Sequence, residues 1–327
     1  MDKCYYGSLK DVNELRKSSS GGFAASVAKY VIQKHGVIYG VAYTSDFKGA
    51  EFIRATSEQD IQRLLGSKYI YADNSQIKSG GGIFEDIKSR RMVVLVGLPC
   101  NIATVMSTLH NKGIEYRNLI TIDLVCGGVT PAEVGKQYIE YLERKNKSNV
   151  VELSVRYKNP NWTPPYLHAV FKNGKVFCKE FYETEYGYAF EHMKREACYA
   201  CRFKGEHHLS DITIGDGWGI NKDDPGYNPA GVSVAFVHTE AGDSLLKELQ
   251  DIVLFEKESD EMKRSNPRYL TPKPKLQKNE QFRIDFQKYG LYKACKKAYG
   301  FKKRIINAMP DVIIKSLRQI KHNMEKY

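Results

Sequence analysis

The residues with the clearest chemistry in this chain are sulfurs. Cys198-Tyr-Ala-Cys201 puts two thiols on one tight loop, a spacing that lets both reach one metal ion or one cluster. Two further cysteines close apolar runs, Cys100 after Gly97-Leu-Pro and Cys126 before Gly127-Gly128. Proline stiffens the turn that presents Cys100, and the glycines let backbone N–H groups approach the sulfur of Cys126. Four thiolates suffice for a [4Fe–4S] cluster or a structural zinc, and spacing does not choose between them. The plain alternative is one redox-inactive pair and two buried core cysteines. Cys178, in a hairpin strand, and Cys295, in a basic helix, read as packing residues, and Cys4 as terminal and unconstrained.

Other groups with chemistry flank these. The apolar run 211–214 reads as a short buried strand that enters Gly-Asp216-Gly-Trp218-Gly, where glycines let backbone come close to a ligand. Asp216 suits acid–base work or a hydrogen bond to a ligand, and Trp218 suits stacking on a ring or a place in the core. Ser18-Ser-Ser20-Gly21-Gly22 precedes a helical pattern at 23–34. It reads either as N–H groups set for a phosphate or as a serine N-cap. His207-His208, beside Arg202 and Lys204, read as a solvated or anion-binding turn.

Strands and helices must position these groups. Apolar runs at 36–43, 52–56, 92–100 and 119–126 alternate with helical patterns at 57–65, 83–90, 102–110 and 131–145. This alternation predicts an α/β layer with parallel pairing, whose ligands sit outside the carboxyl ends of the strands. Cys100 and Cys126 are then expected side by side at one crevice. Segments 151–157, 167–172 and 175–180 read as antiparallel strands, the last two joined by an Asn173-Gly174 turn. Strand 231–237 and helix 241–249 complete the core. The expected fold class is α/β (α+β), a mixed sheet core with flanking helices, an antiparallel insertion and a basic C-terminal helical tail. The expected division is a catalytic domain over 1–260, a connector and helix over 261–300 and an amphipathic tail over 301–327.

Composition narrows the function classes. The chain of 327 residues, 42% hydrophobic and 27% charged, fits a soluble globular protein. It has no apolar run of the roughly 18 residues that a spanning helix needs and no signal peptide, so a cytoplasmic location is expected. Seven cysteines, an odd count, argue against a disulfide framework. The net charge of +12 is concentrated in residues 262–327, with 18 Lys or Arg against 4 acids. That tail lacks interleaved stacking aromatics, which argues against nucleic acid. Its Lys/Arg face opposite Ile and Leu suits an anionic membrane surface, the alternative being a helix packed on the domain.

Six segments, in order, resemble the coenzyme F420 hydrogenase/dehydrogenase beta-subunit family, in particular its bacterial branch associated with polysaccharide biosynthesis. They are Lys17-Ser-Ser-Ser-Gly-Gly-Phe23, Gly66-Ser-Lys-Tyr69, Gly97-Leu-Pro-Cys-Asn-Ile-Ala103, Asp123-Leu-Val-Cys-Gly-Gly-Val129, Cys198-Tyr-Ala-Cys-Arg-Phe-Lys204 and Ser210-Asp-Ile-Thr-Ile-Gly-Asp-Gly-Trp-Gly-Ile220. The resemblance implies FAD and a [4Fe–4S] cluster, with Cys100, Cys126, Cys198 and Cys201 as cluster ligands. It also implies Ser20, Gly21, Gly22, Lys68, Tyr69, Asp216 and Trp218 at or near the flavin, with Lys68 tuning it. Asn101 stands where the family has glutamine, and Gly127 where it has histidine. Many relatives carry an N-terminal ferredoxin-like domain, whereas only Cys4 precedes the first motif here. The expected electron donor is therefore separate, a ferredoxin-like protein or a reduced deazaflavin. The expected acceptor is organic, a sugar intermediate in polysaccharide biosynthesis. The alternative function is a zinc-binding, non-catalytic adaptor in a glycan-assembly complex.

Overall fold

The computed structural model describes residues 3–159 and 161–299, and in it the two cysteine-terminated apolar runs lie side by side within an eight-stranded sheet. The chain begins with β1 (Lys3–Leu9), α1 (Val12–Lys17), α2 (Phe23–Gln33), β2 (Val37–Tyr43), β3 (Ala50–Ala55), α3 (Glu58–Leu64) and α4 (Gly82–Lys88). It continues through β4 (Val93–Gly97), α5 (Pro99–Lys112), β5 (Leu119–Leu124), α6 (Ala132–Asn146), β6 (Val150–Tyr157), β7 (Tyr166–Phe171) and β8 (Val176–Glu180). Then come α7 (Glu185–His192), α8 (Glu196–Tyr199), β9 (Ile212–Asp216), β10 (Ser233–Val237), α9 (Glu240–Glu248), β11 (Ile252–Lys257), α10 (Ser259–Ser265) and α11 (Gln277–Ala298).

The large sheet has the order β11-β1-β10-β9-β5-β4-β2-β3. Strands β2, β4, β5 and β9 are parallel, and antiparallel strands extend both ends. A separate antiparallel sheet, β6-β7-β8, is the expected insertion. The mixed α/β fold class is therefore as the sequence predicts.

Alternation along the parallel strands explains why both faces are covered. Ile38, Val94 and Ile122 pack with Phe23, Val27 and Val31 of α2 on one face. Val37, Val93 and Leu95 pack with Ile83 and Ile87 of α4 and Ile102 and Val105 of α5 on the other. Local signals set the helix ends. Ser57 and Asp60 form a reciprocal capping box on α3, and Thr239 caps α9. Pro99 opens α5, and Gly113 closes it in the left-handed conformation.

Two segments differ from the sequence reading. Residues 3–9 form a strand between β10 and β11, and Cys4 is buried beside Val234, Phe236 and Met262. Its Tyr-Tyr-Gly-Ser neighbours show no strand alternation, because β1 is buried on both faces. The Pro/Lys-rich stretch after α10 packs onto the first compact unit, which runs through Lys275: Tyr269 stacks on His208, and the Arg268 carbonyl accepts a hydrogen bond from Lys204. The second unit starts at Leu276, and its described part is α11, bent at Gly290. The amphipathic tail expected at 301–327 lies outside the described residues. Among the described residues no helix is long and apolar enough to cross a membrane.

Candidate functional site

The four expected sulfurs come to the carboxyl edge of the parallel strands. Cys100 lies in the first turn of α5, directly after β4, and Asn101 fixes that turn by accepting the Leu98 N–H at 3.0 Å. Cys126 follows β5, the parallel neighbour of β4, and its sulfur accepts the Gly128 N–H at 3.3 Å. The CxxC segment is tied to the same loop, since Arg195 N–H donates to the Val129 carbonyl and Cys198 N–H to the Arg195 carbonyl, each at 2.9 Å. Gly128 has φ +92, and a β-carbon there would come within 3.0 Å of the Cys198 β-carbon, so a side chain is excluded where the two loops meet.

Electrostatics agree with this convergence. Burial, then the neighbouring sulfurs of Cys126, Cys201 and Cys198, push the Cys100 thiol up to about 11. Burial also raises Cys126, opposed by Lys204 and the Gly128 N–H. Buried thiols that disfavour one another's ionisation are the donor set that a thiophilic cation stabilises. Lys194, 1% exposed, lies against Gly128, and Lys204 donates to the Cys126 carbonyl at 2.6 Å. Among the described residues no group of three or more His, Cys, Asp or Glu side chains is closed around a metal position. Donor chemistry fits a cluster or zinc, and the side chains are not drawn into coordination geometry.

Next to the thiols, one strand further along the sheet, is a crevice built on Asp216 at the end of β9. Arg156 of β6 donates to both Asp216 oxygens, at 2.8 and 3.0 Å, and Ser20 Oγ–H donates to the same carboxylate. Lys158, 5% exposed, donates to the carbonyls of Leu15 and Ser20 at 2.6 and 2.7 Å. Burial, then Arg156, push Lys158 down to about 7. Tyr69 is raised by burial and drawn back by Arg156. Ser19 and Ser67 hydroxyls meet at 2.9 Å, which joins the serine turn to the Gly66-Ser-Lys-Tyr69 segment. Trp218 is 44% exposed and packs against Trp162 with the rings tilted by 37°, 4.7 Å between ring centres.

Ser20, Tyr69, Asp216 and Trp218 are thus brought to one crevice. Gly21 and Gly22 adjoin it, but their N–H groups are already spent on Ser233 Oγ and the Ser19 carbonyl. Neither is available to a phosphate, and the N-cap of α2 is Gly22, with no serine side chain capping the helix. Lys68 turns away and donates to the carbonyls of Arg63, Leu64, Leu65 and Gly66 at 2.7–3.2 Å. Burial pushes it down to about 7, while this carbonyl cage at a helix C-terminus favours the ammonium.

Three site residues escaped the sequence reading. Arg156 lies in β6, a strand that reads as half solvated, Lys158 lies one residue past its end, and Trp162 lies in the loop beyond. The signal for the pair is two cations two residues apart at a strand end, followed by an aromatic loop. His208 is not a solvated turn residue: its Nδ1 lies 3.2 Å from buried Asp123 and 3.0 Å from Thr213 Oγ1, which also reaches His238 at 2.8 Å. Cys178 is exposed on β8 rather than buried in the core.

Comparison with known proteins places this chain in a family. The family defined by the C terminus of the beta subunit in coenzyme F420 hydrogenase/dehydrogenase matches residues 90–262, and the chain belongs to that family. It is similar to the F420-dependent formate dehydrogenase 1 subunit beta of Methanococcus maripaludis, 25% identical over 257 residues that cover 76% of this chain and 59% of that protein. The chain thus spans less than two thirds of that relative. A chain of the xenon-derivatised F420-reducing [NiFe] hydrogenase complex of Methanosarcina barkeri has the same fold, with a TM-score of 0.52, 17% identity and 90% coverage of each chain.

Proposed function

We propose that this chain is an iron–sulfur flavoprotein oxidoreductase that binds FAD and a [4Fe–4S] cluster and passes electrons between a separate donor and an organic acceptor. The observation that carries this reading is the arrival of four thiols from three segments at one sheet edge, beside a crevice lined by Tyr69, Arg156, Asp216 and Trp218. Cys100, Cys126, Cys198 and Cys201 would hold the cluster, with Lys194 and Lys204 offsetting its negative charge. Ser20, Tyr69, Asp216 and Trp218 would line the flavin site. The cluster supplies one-electron transfer when bound and the flavin hydride transfer. Family membership supports an oxidoreductase role. The relatives are a named subunit and a chain of a complex, which supports a protein partner or a reduced deazaflavin as donor. Resemblance to the polysaccharide-associated branch supports a sugar intermediate as acceptor. The basic tail, by its sequence, supports peripheral contact with an anionic membrane.

The test is anaerobic purification followed by a UV–visible spectrum, with iron, zinc and flavin counted on one sample. Flavin bands, a broad shoulder bleached by dithionite and about four irons per chain are expected. Zinc without iron or flavin would overturn the redox reading and leave the adaptor.

A further inference from the structure

The crevice has a charge imbalance that the flavin reading does not use. Arg156 and Lys158, two residues apart, both contribute to it: Arg156 bonds Asp216, and Lys158 bonds the Ser20 carbonyl beside it. The carboxylate hydrogen-bonded there is Asp216, held by Arg156 and Ser20 together. Lys158, pushed down to about 7 by burial, donates to two carbonyls, which carry no formal charge and favour its ammonium form. A half-buried crevice with an excess of cations attracts an anion more strongly than an exposed patch does, because water screens it less. The guanidinium is the group suited to a phosphoryl oxygen pair, and it lies beside Trp162, its carbon 5.9 Å from the ring centre. Trp218, packed at a tilt against Trp162, is exposed enough to receive a planar ring.

We propose that Arg156, backed by Lys158, is a binding subsite for the phosphoryl group of a ring-bearing ligand, and that Asp216 occupies it in this state as an internal counter-ion. An incoming phosphoryl group exchanges with the Asp216 carboxylate, leaving that carboxylate on Ser20. The phosphoryl group has two sources, the flavin's own pyrophosphate or a phosphorylated substrate. The subsite deepens the flavoprotein reading but is tested separately from it.

The probe is inorganic pyrophosphate, titrated calorimetrically into the full chain, both flavin-loaded and flavin-stripped, with iron and flavin counted on each sample. Arg156→Gln should weaken binding about tenfold or more, the scale of one charge-assisted pair, and Asp216→Asn should tighten it by a similar factor because the competitor is gone. Binding to the flavin-loaded protein assigns the subsite to a substrate phosphate. Binding only to the stripped protein, with FAD competing, assigns it to the flavin. Should Arg156→Gln fail to fold, Asp216→Asn decides: unchanged or weaker binding in that variant overturns the proposal. Iron- and flavin-free protein that still shows the opposite responses would retain the subsite and discard the flavoprotein reading.

Discussion

Substituting Gly21 by alanine tests how the serine turn is built. A β-carbon at Gly21 would stand 2.2 Å from the Gly7 carbonyl oxygen and 2.4 Å from the Ser233 nitrogen. Both belong to strand backbone, in β1 and β10, so neither swings aside. Ordinary contact needs about 3.5 Å, so the turn must lift by roughly 1 Å. Overpacking of this kind costs about 1–3 kcal/mol. The lift also strains the Gly21 N–H bond to Ser233 Oγ, 2.8 Å long, and losing a buried bond adds roughly 1 kcal/mol. Gly21→Ala should therefore destabilise the protein by about 2–4 kcal/mol. Ser20 moves with the turn and carries its contacts to Asp216 and Lys158, so flavin retention should fall as well. Urea unfolding of the metal-free protein gives the first quantity, and flavin per chain after gel filtration the second. Gly174→Ala is the control: with φ +81 and nothing within 4 Å, it should lose only roughly 1 kcal/mol to the left-handed backbone and keep its flavin. Gly21→Ala with stability within roughly 0.5 kcal/mol of wild type and full flavin content would refute the packing argument.

Three further outcomes are expected. Serine at Cys100 or Cys126 should abolish bound iron, while Cys178→Ser, on the exposed face of β8, should leave it unchanged; iron retained in the first two would exclude them as ligands. Burial, then His208, hold His238 down at about 4, whereas an unfolded histidine titrates near 6.5. Between those values the unfolded chain binds the extra proton, so this contribution is complete above about pH 6.5 and is lost as pH falls toward 4. His238→Gln should flatten that dependence by on the order of 3 kcal/mol, read as urea midpoints across the window, and parallel curves for both proteins would sink the assignment. Removing residues 301–327 should abolish flotation with anionic liposomes, and unchanged flotation would end the membrane reading.

The strand–helix alternation was readable because β4 and β5 are short, apolar and followed by helix signals, Pro99 directly for α5 and Pro131, past the Cys126 loop, for α6. That reading alone puts Cys100 and Cys126 just past the carboxyl ends of neighbouring strands, and the structure pairs β4 with β5 in parallel. Local pattern failed where tertiary contact decides. Tyr5 and Tyr6 look polar, yet they are buried because β1 is inserted between two strands that come more than two hundred residues later. His208 sits among charged residues in sequence, but the chain folds it onto Asp123, whose side chain is 1% exposed. Arg156 resembles the solvated face of an antiparallel strand until β6 is laid over the end of β9. Lys68 had the right neighbours and the wrong direction, because an uncapped helix end four residues earlier offers four carbonyl oxygens.

The position of β9 links the two halves of the site. It pairs with β5, so Asp123 registers with Thr213 and Leu124 with Ile214, and the Val125 N–H donates to the Ile214 carbonyl at 2.8 Å, one residue before Cys126. Two residues beyond Ile214 is Asp216, the anchor of Arg156 and Ser20. The loop that carries Cys126 and the strand that carries Asp216 therefore leave neighbouring strands, roughly 5 Å apart across the sheet. Strand register sets this closeness more than any flexible side chain does. A substitution that shifts β9 against β5 should disturb iron content and crevice together, whereas Arg156 variants should disturb the crevice alone. Thr213→Val makes that comparison: it keeps the strand's shape but removes the hydroxyl that meets both His208 and His238. If the hydroxyl holds the register, iron and pyrophosphate affinity should fall in parallel. Loss of one without the other would show that the two sites are positioned independently.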